Sequence, residues 1–428
     1  MKKLLFSIIF LFVDLYGANL HFSLFKKTTQ TGPTLFVIGG IHGNEPGGYF
    51  APAVLKNHYK ITHGNVWIVP NLNFDSLVRN QRGIYNDMNR KFEIINEKDP
   101  DFQIVHDIKE LMLDKQVDLI LNLHDGYGFY REKTINTLCN PKAWGQACII
   151  DQQKIPSVKF GNLSEIAKRV NKETNIDLFE DVHEFNVKNT NTKEKDVAMQ
   201  QSLTYFATRH NKPAFAIETS KNIVDLDLKV YYQLKSIEEF MKIMGIKFTR
   251  DFKLNKESVK AILEDYGTLE FADGYVSLPL NHLKPVLNYF PMQKELKYSS
   301  NNPLVALLKE KNGINVMNGN ISVTQLKPQY YEFDDSMDEV HLVIDDQEKT
   351  LQPGDIIDVK QNFKVVSQEG YRVNVIGYSN PKSDEESDIE INKSDLQKRF
   401  SIDTDGNIYR IEFYKGQKFC GMVLVRFQ

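Results

Sequence analysis

Apolar residues follow two different rhythms along this chain. From Thr34 to about Gly245, short continuous runs (Thr34 to Ile38, Asn65 to Val69, Leu119 to Leu123, Ala214 to Ile217) alternate with amphipathic stretches. Runs of that length predict buried strands, whereas Phe102 to Asp114 and Leu163 to Thr174 repeat their apolar positions at helical spacing. Asp225 to Met244 is a longer helical stretch that closes the unit. Strands alternating with helices predict an α/β fold, a mixed or parallel sheet with helices on both faces.

After Gly245 the rhythm changes. Lys256 to Asp265 reads as a helix, followed by short strands around Gly267 to Leu280 with Pro279, Pro285 and Pro291 as punctuation. From Gln329 the pattern is all-β: Val340 to Ile344, Asp355 to Val359, Lys364 to Ser367, Tyr371 to Tyr378, Ile408 to Tyr414 and Met422 to Phe427. Turn signals at Pro353-Gly354 and Asp405-Gly406 suit a small sandwich. A chain of 428 residues exceeds one core. The expected division is an α/β unit over 19–245, a small β-rich domain over 246–328 and an immunoglobulin-like sandwich over 329–428.

The first residues follow another logic. Met1-Lys2-Lys3 is basic, Leu4 to Val13 is apolar and Gly17-Ala18 is small, the grammar of a signal peptide over 1–18. The apolar run is shorter than the ~20 residues a spanning helix needs, and none of that length follows. The expectation is a soluble exported protein without a membrane span. A formal net charge of −3 argues against bulk electrostatic binding to nucleic acid or anionic lipid. Of the three cysteines, Cys139 and Cys148 could close a short loop around Trp144 or stay as two separately buried thiols.

Candidate chemistry gathers where apolar runs stop. Thr34 to Ile38 runs into Gly-Gly-Ile-His-Gly-Asn-Glu-Pro-Gly-Gly, which places His42 and Glu45 at the carboxyl edge of a sheet, where α/β proteins bind ligands. Three apart, the two can point the same way and supply two ligands of a catalytic zinc. The flanking glycines are expected to leave room for substrate. His124 ends another apolar run and is the candidate third ligand. Glu218 ends Ala214 to Ile217 and suits proton transfer at the same edge. Between them, the basic segment Arg79 to Phe92 offers guanidinium groups for a carboxylate or an oxyanion.

In order, His42-x-x-Glu45, Arg79-x-x-Arg82, Asp87-Met88-Asn89-Arg90-Lys91-Phe92, His124 and Glu218 resemble the motif set of zinc carboxypeptidases of the carboxypeptidase A type. Enzymes of that type hold their catalytic zinc on two histidines and a glutamate. The resemblance implies one zinc per chain on His42, Glu45 and His124. It implies Arg82 at the scissile carbonyl, Asn89 and Arg90 on the terminal carboxylate, and Glu218 as general base and acid. The family's mobile tyrosine has no clear counterpart, Tyr205 lying too close to Glu218.

The whole layout, with the Trp144 loop, Gln201-Ser202-Leu203-Thr204-Tyr205 and two trailing β domains, resembles the murein tripeptide carboxypeptidases of Helicobacter and Campylobacter. That implies a periplasmic DL-carboxypeptidase acting on L-Ala-γ-D-Glu-meso-diaminopimelate and influencing helical cell shape. It also implies Trp144 and Thr204 in the diaminopimelate subsite, and cell-shape protein partners reached through the β domains. Two other readings stand beside it: a deacylase of the aspartoacylase or succinylglutamate desuccinylase type, and a murein-binding scaffold that no longer catalyses.

Overall fold

Every residue of the run Thr34–Ile38 is buried, which a strand achieves only when both faces of its sheet are covered. The computed structural model describes residues 22–29, 31–379 and 385–428, so the expected signal segment, 1–18, lies outside the described residues. The main sheet has strands β1 (Phe25–Thr28), β2 (Thr34–Ile38), β3 (Asn65–Val69), β4 (Leu119–Gly126), β5 (Ala147–Ile150), β6 (Asn186–Asn189) and β7 (Ala214–Ser220). They lie side by side in the order β1-β3-β2-β4-β7-β5-β6. Parallel pairing links β3, β2, β4 and β7, while β1 and β5 run antiparallel to their neighbours β3 and β7.

Alternation along β2 divides the core in two. Leu35 and Val37 face helices α1 (Pro46–His58), α3 (Leu163–Thr174) and α5 (Leu226–Met244), whereas Phe36 and Ile38 face α2 (Phe102–Leu113) and α4 (Leu203–Arg209). The chain leaves β2 toward β3 on one side and returns through α2 to β4 on the other. The crevice between β2 and β4 is therefore the switch point at which such sheets bind ligands.

The glycines after β2 serve a different end from the one expected. A Cβ on Gly48 would meet Leu123 O at 2.6 Å, and one on Gly43 would collide with the Ser76 backbone. Gly48 lets α1 press onto β4, and Gly43 lets the turn after β2 press onto the backbone at Ser76 and Leu77, rather than opening space for a substrate. The cysteine alternatives also resolve: Cys139 and Cys148 are free, buried thiols. Cys148 sits in β5 opposite Ile217 and is held by sheet packing.

Beyond α5 come a three-stranded and a four-stranded sheet, then two further four-stranded sheets built from residues after Val340. These last two enclose their own core around Leu342, Phe363, Ile411 and Val423. The strand Ile408–Lys415 is buried on both faces. Tyr409, Ile411 and Phe413 enter that core, while Ile408 and Tyr414 join a second core with Leu287 and Phe290 of the preceding sheets. Among the described residues no helix is long and apolar enough to cross a membrane.

Candidate active site

Helix α1 begins where it does because Pro46 occupies its first turn, with Glu45 as N-cap. Asp125, buried at the end of β4, accepts the Gly47 amide at 2.9 Å and so satisfies a free N–H of that first turn. Lys229 Nζ, 3.6 Å away, and the Thr219 hydroxyl balance the Asp125 carboxylate. Its own amide donates to Glu45 Oε2 at 3.3 Å. One buried carboxylate thereby fixes the position of a second.

Glu45 Oε2 lies 3.1 Å from His42 Nδ1 and 2.9 Å from His124 Nδ1. The three side chains are buried, and one donor atom from each falls within 4.8 Å of the others. On the far side of the ring, His42 Nε2 meets Asp87 Oδ1 at 2.8 Å. That contact places the proton on Nε2 and leaves Nδ1 with its lone pair toward Glu45 and His124. His42 Nδ1 is buried without a hydrogen-bond partner among the described residues. An orphaned imidazole nitrogen, a second imidazole and a carboxylate converging on one point fit a metal ion, and this group can hold one. Burial alone would raise the Glu45 carboxyl, but His42 and His124 hold it well below the usual carboxylate range.

Glu218 lies inside β7, directly paired with His124 of β4. The apolar runs place both residues just past the ends of their strands. Pairing instead continues through Thr219 with Asp125 and Ser220 with Gly126, so β4 and β7 outlast those runs. Burial, reinforced by the charges of Glu45 and Asp125, pushes the Glu218 carboxyl well above its ordinary range.

These residues line a cleft of about 160 Å³ together with Arg82, Asn89, Arg90 and Trp144. Arg82 reaches Asp87 Oδ2 through Nε at 3.0 Å and Glu45 Oε1 through Nη1 at 3.1 Å, which fixes the guanidinium at the mouth. Asn89 Oδ1 accepts the Leu203 amide at 2.9 Å, and Arg90 donates to the Asn89 carbonyl at 2.9 Å. Trp144 stands on the opposite wall beneath Lys188, whose Nζ is 4.1 Å from the ring centroid. Thr204 is the exception. It is buried in the first turn of α4, its hydroxyl 3.3 Å from Ser202 Oγ, and it is not part of the cleft lining.

Four side chains at the site have no role in the sequence reading. Asp87 appears there only within a motif, although an Asp two residues before an Asn on a short turn is an N-cap signal, and here it caps the Asn89 amide at 2.9 Å. Asp125 follows His124 directly, at the polar end of the same run. Lys221, 3.3 Å from Glu45 Oε1, follows Glu218 by three residues. Lys188 comes from β6, a half-buried strand with no apolar run to announce it.

Known proteins point the same way. Residues 5–264 match the family model described as the catalytic part of the carboxypeptidase controlling helical cell shape. Residues 333–428 match the C-terminal domain of metallo-carboxypeptidase. A search of curated protein sequences finds no match. Among solved structures, the apo form of the cell shape determinant protein Csd4 from Helicobacter pylori is 38% identical, with a TM-score of 0.89 over 95% of this chain and 100% of that one. Its tripeptide-bound form gives the same values. Its mDAP-bound form, described as a D,L-carboxypeptidase, is 38% identical with a TM-score of 0.89 over 94% of this chain and 100% of that one.

Proposed function

Because the chain belongs to the family of metallo-carboxypeptidases that control helical cell shape, we propose that it is a zinc DL-carboxypeptidase of the periplasm. Its substrate is the peptidoglycan tripeptide L-Ala-γ-D-Glu-meso-diaminopimelate, cut to a dipeptide and free diaminopimelate. The observation that carries this reading is the buried His42–Glu45–His124 set with its orphaned nitrogen, beside Glu218 in a guanidinium-lined cleft. A homologue solved with tripeptide and with mDAP supports the substrate class.

Zinc, held by His42, Glu45 and His124, would supply Lewis acidity and an acidified water. The chain's own groups do the rest. Arg90 and Asn89 hold the terminal carboxylate of the substrate, a bidentate charge contact that selects a free chain end. Arg82, pinned by Asp87, presents N–H groups where the carbonyl oxygen gains charge. Glu218 takes a proton from the attacking water and returns it to the departing amine, and its raised pKa suits both halves of that cycle. Trp144 closes the wall against the diaminopimelate side chain, and Thr204, at the head of α4 next to the Leu203 amide that Asn89 holds, belongs to the same subsite by resemblance.

The test is mass spectrometry of purified muropeptides before and after incubation with the protein and zinc. Tripeptide should disappear as dipeptide and free diaminopimelate accumulate. An unchanged tripeptide profile with zinc-loaded protein would refute the assignment.

A further inference from the structure

A second cavity, of about 700 Å³, opens between the middle sheets and the last domain, remote in sequence from every residue of the first. Its floor is anomalous. On the face of Ile408–Lys415 turned toward the middle sheets, the alternation runs Ile408, Arg410, Glu412, Tyr414, two apolar positions of the shared core bracketing two charges. Arg410 is 5% exposed and Glu412 4%. Charges are buried at real cost unless fully paired, and this pair is not. Arg410 Nη1 stands 3.3 Å from Glu412 Oε1 and donates to the Tyr289 carbonyl, while Tyr414 donates to Glu412 Oε2 at 2.7 Å. Arg410 Nε has no hydrogen-bond partner among the described residues, and Glu412 Oε1 has none beyond its ion-pair contact with Arg410. A buried, incompletely satisfied ion pair thus underlies a hollow whose volume suits a small ligand.

The rim has its own character. A bulge between Leu287 and Phe290 puts Tyr289 at φ +52°, a conformation few side chains adopt, and leaves the ring 72% exposed. Phe400, 39% exposed, stands on the rim with the Arg399 guanidinium 4.7 Å from its centroid. Lys284 also lines the cavity. Three cations against one carboxylate leave the hollow positive.

We infer that this cavity binds peptide-free stretches of the N-acylated glycan strand of the cell wall, where the lactyl carboxylates are free, so that the chain grips bare polymer with one site while trimming peptides on nearby sugars with another. Exposed aromatic side chains such as Tyr289 stack on the C–H faces of sugars, and the surplus cations suit the lactyl carboxylates that peptide-free sugars expose. A protein partner is the poorer fit, because the hollow is deep and polar-floored rather than a flat apolar face. The inference rests on the proposed function for the identity of the polymer, but glycan binding needs no catalysis.

The experiment is titration of the full-length chain with peptide-free glycan strands, followed calorimetrically. It is repeated with Tyr289→Ser and Arg399→Glu, rim changes that leave the buried pair and the fold intact. Wild type should bind, and each variant should bind at least tenfold more weakly. Both variants should hydrolyse soluble tripeptide at the wild-type rate yet show a raised KM on intact sacculi. A wild type that ignores glycan strands, variants that bind them equally well, or capture that vanishes when sacculi are stripped of protein would each overturn the site. Glycan binding without tripeptide hydrolysis would uphold the site and refute the proposed function instead.

Discussion

Glu218 and His124 are direct partners across two parallel strands, so their side chains leave the sheet on one face. A proton carrier and a metal-ligand candidate are thereby locked side by side by backbone pairing. Replacing Glu218 by Gln keeps the shape and removes the ionisable group. Turnover of tripeptide should fall by about 10²–10⁴-fold, the range for a lost general base or acid. Metal content, measured by elemental analysis, should not change.

Asp87 orients His42 through its Nε2 at 2.8 Å. In Asp87→Asn the amide oxygen keeps an acceptor but loses the charge that raises the basicity of the ring. Metal affinity, read by competition with a chelator, should weaken by roughly 10–100-fold. Circular dichroism should match wild type.

Arg90 is assigned to the terminal carboxylate. Arg90→Ala should cost about 1.5–3 kcal/mol of transition-state stabilisation on tripeptide, the usual worth of a hydrogen bond to a charged group. On a substrate with an amidated carboxyl terminus, wild type and variant should be equally slow. Equal proportional losses on both substrates would remove Arg90 from that role.

Gly48 lies so near Leu123 that an added methyl group must move α1 or β4. Gly48→Ala should destabilise by roughly 1–3 kcal/mol, the cost of overpacking a tight contact. Because α1 carries Glu45 at its head, thermal unfolding and metal affinity should fall together.

Lys188 lies against Trp144 and Tyr130, and burial lowers its pKa from 10.5 to about 8. Between those values the unfolded chain binds more protons than the folded one, so this residue makes stability rise with pH across that interval. Below about pH 8 both states are charged and the burial penalty is fully present. Melting temperatures of wild type and Lys188→Met, compared from pH 7 to pH 10, should differ most at the acid end and converge toward the alkaline end.

Much of the α/β half was legible because its strands are buried on both faces and read as unbroken apolar runs. β2 and β3 fall where the runs predict. β4 and β7 run further because their last residues are polar yet paired, as the Thr219 hydroxyl on Asp125 illustrates. β6 was invisible for the opposite reason: an edge strand whose residues are all half-buried carries no apolar signature. At the site, residue types at strand ends pointed to His42, Glu45, His124 and Glu218. Asp87 was beyond reach, since its role depends on which nitrogen of a ring forty-five positions away it touches. Thr204 was reached by resemblance alone, and the contact of its hydroxyl with Ser202 Oγ at 3.3 Å is one that no pattern in the sequence announces.

The strand Ile408–Lys415 belongs to two cores at once. The final module is therefore no bead on a string: it is a wall of its neighbour's interior. A chain interrupted ahead of Phe333 would present Leu287 and Phe290 to water and invite aggregation. Either β-rich part made without the other would leave half of that shared interior uncovered.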